Sequence, residues 1–73
     1  MKMYPEPVEV TVPNLKVGQY IRDTRPKAME GSVIEISKVD LGWTKSRARL
    51  RLKGGFYFLE VLKTGSLLVY GEN

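Results

Sequence analysis

Residues 43–60 read WTKSRARLRLKGGFYFLE. After Trp43, every odd position to 53 is a cation (Lys45, Arg47, Arg49, Arg51, Lys53), while the even positions run Thr44, Ser46, Ala48, Leu50, Leu52. Residues of one parity share a face of a strand. The pattern therefore predicts a long strand over Trp43–Lys53, with its apolar even end against a core and its cations in water. Gly54 and Gly55 follow. A two-residue hairpin loop needs positive φ at both central positions, which glycine supplies without strain. The chain is then expected to return antiparallel over Phe56–Leu62. On the wet face this pairs Lys53 with Phe56, Arg51 with Phe58 and Arg49 with Glu60. On the buried face it pairs Leu52 with Tyr57, Leu50 with Leu59 and Ala48 with Val61. A slip of one residue would send every cation inward, so the register is strongly specified.

The rest of the chain reads as short strands separated by turn residues. Val8, Val10 and Val12 alternate with Glu9 and Thr11, the period-two pattern of a half-buried strand. Pro13, Asn14 and Gly18 punctuate a turn region, and QYIRD (19–23) is a short strand. TRPKAMEG (24–31) is a loop, because Pro26 holds Arg25 extended and Gly31 tolerates positive φ. SVIEISKVD (32–40) is β-branched and reads as strand, joined to the cationic strand by a tight Asp40-Leu41-Gly42 link. After KTGS (63–66), LLVY (67–70) is the last strand. Ser32 and Glu35 match a capping box, but Val33, Ile34 and Ile36 favour strand, so no helix is expected. Five or six short strands with regular turn signals predict a small barrel or sandwich.

This order over residues 15–71 resembles an SH3-like barrel of the KOW, Tudor and chromo type, in which a loop of this length follows the first strand. VGQYIRD (17–23) with EGSVIEI (30–36) resembles the glycine and β-branched rhythm of KOW domains. The Gly-Gln-x-x-Arg-Asp opening is similar to that of small uncharacterised barrel proteins of phages and actinobacteria. The resemblance implies an all-β, five- to six-stranded SH3-like barrel. Residues 7–73 would form its single domain and residues 1–6 a flexible arm. Many such barrels bind RNA, DNA or peptides, so the fold alone does not assign a chemistry.

Composition narrows the function. A chain of 73 residues fits one small domain, and its formal charge of +4 favours polyanions. There is no cysteine, hence neither a disulfide framework nor a thiolate metal site, which fits a cytoplasmic protein. There is also no histidine, and the carboxylates are scattered without paired spacing. No catalytic residue, metal ligand or cofactor is therefore expected. The first ten residues, with Pro5, Pro7 and two glutamates, do not fit a signal peptide. No apolar run approaches the roughly 18 residues of a membrane helix.

The expected function is nucleic-acid binding, to RNA or single-stranded DNA, by a monomer or homodimer. Same-face side chains repeat about every 6.8 Å along a strand, comparable with phosphate spacing along an extended nucleic acid. Lys45, Arg47, Arg49, Arg51 and Lys53 form the phosphate ladder, and Trp43, Phe56 and Phe58 offer stacking surfaces. The alternative is a protein-interaction module, such as a phage-encoded regulator docking on a host polymerase or nucleoid protein, or self-association through the same face. A plain solvated face needs only local contacts: Arg51 over Phe58 as a cation–π pair, Arg49 with Glu60 as an ion pair, and an arm of Met1, Met3 and Tyr4 over the phenylalanines. In the long loop, Arg22, Arg25 and Lys27 extend the basic surface or remain solvated, with Asp23 making a local turn bond.

Overall fold

The structure is a computed structural model that describes residues 6–54 and 58–71. Its six strands are β1 (Val8–Thr11), β2 (Tyr20–Arg22), β3 (Val33–Asp40), β4 (Arg47–Leu52), β5 (Phe58–Leu62) and β6 (Ser66–Tyr70). They form one sheet in the order β1-β6-β2-β3-β4-β5, with every neighbouring pair antiparallel. The all-β class is as expected. Among the described residues the sheet's hydrogen bonding is not closed, and β1 and β5 are its two edges.

The inner face carries the core. Ile21, Ile34, Ile36, Ala48, Leu50, Leu52 and Val69 are buried from β2, β3, β4 and β6, and Leu59, Val61 and Leu67 pack around them. Val12 and Leu15 complete the core from outside the strands. Here the structure differs from the alternation expected over Val8–Val12. Val12, Pro13 and Asn14 form a 3-10 turn, closed by the Leu15 N–H to the Val12 carbonyl at 3.1 Å. Proline has no N–H for a ladder, so β1 stops at Thr11. Val8, expected half-buried, is exposed.

Two turns hold the ends of β2. Gly18 takes φ 98°, and the N–H donates to the Ile36 carbonyl at 2.9 Å. Beside it Gln19 is buried, its side-chain oxygen accepting the Lys16 N–H at 2.8 Å. That bond satisfies a polar group whose burial would otherwise be costly. After β2, Asp23 braces the loop 23–32. Its carboxylate accepts the Arg25 backbone N–H at 3.1 Å and the guanidinium through bonds of 2.9 and 2.7 Å. The guanidinium's hydrogen bond holds the Asp23 carboxyl below its ordinary range. The local turn bond expected of Asp23 is thus present, with an ion pair added.

β3 contains a bulge. Ile36 pairs with Leu52, but Lys38 pairs with Arg51, so Ser37 is the extra residue. Its hydroxyl donates to the Arg51 carbonyl at 3.1 Å. The extra residue changes the strand's parity: Ile34 and Ile36 point inward before it, and Val39 packs on the core after it. Lys38 and Asp40 are thereby placed on the outer face.

The cationic strand is shorter than expected. β4 spans Arg47–Leu52, and residues 41–46 are a turning connection rather than a tight turn followed by strand. The Asp40 carboxylate accepts the Gly42 N–H at 3.0 Å, and the Thr44 hydroxyl accepts the Arg47 N–H at 2.8 Å. Local side-chain acceptors of this kind compete with a ladder for backbone donors, so Trp43 and Lys45 lie off the strand. The hairpin register is the expected one: Arg51 opposite Phe58, Leu50 opposite Leu59, Arg49 opposite Glu60, Ala48 opposite Val61. Gly54 has φ 88°. The expected roles of Gly55, Phe56 and Tyr57, and of the arm residues 1–5, lie outside the described residues.

Candidate nucleic-acid interface

The outer face of β3, β4 and β5 gathers most of the residues singled out from the sequence. Alternation on β4 buries Ala48, Leu50 and Leu52 and turns Arg47, Arg49 and Arg51 outward. Arg47 and Arg51 are exposed, whereas Arg49 is half-buried. Lys53, just beyond the strand, reaches the Glu35 carboxylate at 3.4 Å. Lys45 is exposed in the 41–46 connection, outside the ladder assigned to it.

Trp43 is off the strand yet part of the face. The connection folds its indole back so that the Arg49 guanidinium carbon lies 3.8 Å from the ring centre. The same carbon is 4.2 Å from the centre of Phe58, and that of Arg51 is 5.8 Å from it. The expected Arg51–Phe58 contact is present, but Arg49 is the closer cation. The expected Arg49–Glu60 ion pair is absent among the described residues. Glu60 accepts the Trp43 indole N–H at 3.3 Å instead. Trp43 is 40% exposed and Phe58 39%, so each ring keeps surface open to water after packing on Arg49.

Two residues of the face were missed by sequence reasoning, Lys38 and Asp40. They are the register partners of Arg51 and Arg49. The signal was present: the apolar inward set steps by two from Ile34 to Ile36, then by three to Val39. A step of three in a strand is the mark of a bulge. Lys38, Asp40, Arg49, Arg51 and Phe58 line a small cavity of about 110 Å³. Arg25 is committed to Asp23, and Tyr20 and Tyr70 are half-buried partners across β2 and β6, with the Tyr20 hydroxyl donating to Glu35 at 3.3 Å.

Cations beside partly exposed aromatics can bind an anion by charge and a flat group by stacking. Among the described residues there is no group of three or more His, Cys, Asp or Glu side chains placed to hold a metal ion. No helix among them is long and apolar enough to cross a membrane. Comparison with known proteins returned no matching family model, no matching curated protein and no matching solved structure.

Proposed function

We propose that the outer face of β3, β4 and β5 binds single-stranded nucleic acid, RNA or DNA, and that the protein acts by binding rather than catalysis. The observation that carries this reading is the Trp43–Arg49–Phe58 cluster. Two rings, each about two-fifths exposed, are fixed on one guanidinium between the exposed Arg47 and Arg51. Bases stack on the open ring surfaces, each contact worth about 1–3 kcal/mol, while Arg47, Arg51 and Lys53 follow the phosphates. The ten-residue loop 23–32 after β2 and the short links on either side of β5 support an SH3-like barrel for the architecture. A salt titration tests the function. With about three to five phosphates engaged, log affinity for an unphosphorylated oligonucleotide should fall with log salt at a slope of roughly −2 to −4. Replacing Arg47 and Arg51 by glutamate should abolish binding. A flat salt response would overturn the reading.

The edge strand β5 favours a second reading. It presents Phe58 and Leu62, 39% and 50% exposed, beside a strand edge that is unpaired among the described residues, the chemistry of a protein-docking surface. A protein partner retained after nuclease treatment and lost in Phe58→Ala, with no response to oligonucleotides, would select this alternative.

A further inference from the structure

Arg49 is the half-buried arginine of β4, and among the described residues it forms no ion pair. Both register partners are carboxylates, Asp40 on β3 and Glu60 on β5. Neither makes an ion pair with it among the described residues. One Asp40 oxygen is engaged by the Gly42 N–H and one Glu60 oxygen by the Trp43 indole. With Trp43 and Phe58 packed on it, the guanidinium is pre-oriented, and among the described residues no acceptor takes its N–H groups. A planar fork held this way suits bidentate contact with phosphate.

The cavity beside it defines the acceptor. Lys38, Arg49 and Arg51 line it with one carboxylate, Asp40, and the ring of Phe58. Three positive charges against one negative leave the lining a formal +2, with the Glu60 carboxylate opposite Arg49 just outside it. At about 110 Å³ the space admits one tetrahedral anion. A phosphodiester carries a single negative charge, whereas a monoester carries about −1.5 to −2 at neutral pH. We infer that this cavity is a binding site for a phosphate monoester dianion, held by Lys38, Arg49 and Arg51. The inference rests on the proposed nucleic-acid face and adds to it a preference for phosphorylated strand ends. A free phosphate or a mononucleotide carries the same chemistry, so the source has to be separated by experiment.

Trp43 is the single tryptophan of the chain and packs on Arg49, so its fluorescence reports the site. The full chain is titrated with one oligonucleotide in three forms, 5′-phosphorylated, 3′-phosphorylated and unphosphorylated, and separately with inorganic phosphate and a nucleoside monophosphate. A phosphorylated end should raise affinity about tenfold or more. That advantage should shrink between pH 7.5 and 5.5, as the monoester takes up its proton near pH 6. The chain has no histidine, the side chain that ordinarily titrates there. The unphosphorylated form, measured alongside, corrects for any titration of Lys38, Asp40, Arg49, Arg51 or Glu60. In Lys38→Ala the ratio between phosphorylated and unphosphorylated forms should fall to about twofold or less. Equal affinities for the three forms would overturn the monoester site while leaving the nucleic-acid face standing. A preference indifferent to both pH and Lys38 would also overturn it. Saturable binding of inorganic phosphate or the mononucleotide, without response to any oligonucleotide, would uphold the site and overturn the reading of the face. No response to any of the five would overturn both.

Discussion

Trp43 and Arg49 are six positions apart and on different elements, yet each is placed by the other. The indole covers a guanidinium that would otherwise stand in water, and its N–H is taken by Glu60. A partly exposed cation–π contact is worth about 0.5–1 kcal/mol. Trp43→Ala should therefore cost about that much in urea unfolding, whereas Arg47→Ala, at an exposed position with no ring against it among the described residues, should change stability by less than about 0.5 kcal/mol. Equal effects would show that the cluster is not cohesive. Asp23 makes a second prediction at this scale. Its carboxyl is held low, first by the Arg25 side-chain hydrogen bond. A depressed carboxyl stabilises the fold above its unfolded value, near pH 3.9, and that contribution is lost as pH falls through the folded value. The Arg25 Nε–H resonance should thus keep its bonded position down to about pH 4 and shift only below it, and Asp23→Asn should abolish the transition. An Asp23 carboxyl titrating at or above the ordinary value would contradict the brace.

At the scale of the element, the β4–β5 hairpin depends on a backbone conformation rather than on space. Gly54 sits at φ 88°, and a Cβ placed there would meet nothing within 4 Å among the described residues. Gly54→Val should still cost about 1–3 kcal/mol, from backbone strain alone, and Gly54→Asn should be close to neutral because asparagine tolerates the left-handed region. Urea denaturation of both variants checks the pair, and similar losses for the two would place the cost elsewhere. The register of this hairpin was legible because two constraints coincide, a glycine turn and an inward row of Ala48, Leu50 and Leu52. Strand length was not legible. Alternation continues through Trp43 and Lys45, and only the local bonds of Asp40 and Thr44 divert the backbone, which a periodicity cannot weigh. The bulge at Ser37 was written in the spacing of Ile36 and Val39. Reading it required knowing that both face one core, and that depends on the pairing with β4. The site was legible as a face and not as a contact set. Alternation turns Arg47, Arg49 and Arg51 outward, but which cation meets which ring depends on a connection that brings Trp43 back.

At the scale of the molecule, the surplus of charge and the face compete as explanations of any affinity for a polyanion. A net +4 spread over the surface would draw nucleic acid without a site. Two double variants separate the cases. Arg47→Glu with Arg51→Glu removes two positive charges and adds two negative ones, taking the formal charge from +4 to 0. Lys16→Glu with Lys27→Glu makes the same change at exposed positions in the turn before β2 and in the loop 23–32. All four side chains are exposed, so each change should alter stability by no more than about 0.5 kcal/mol, to be verified by urea unfolding. Surface charges farther apart than the Debye length, about 8 Å at physiological ionic strength, are largely screened from one another. The second pair lies off the outer face of β3, β4 and β5, so it should lower affinity only slightly at that salt and leave the salt slope unchanged. The face pair should abolish binding, because it removes the contacts that release counterions and sets like charge beside Glu60. Equal losses in the two variants would make the attraction a property of net charge, and the outer face of β3, β4 and β5 would lose its claim to be the site.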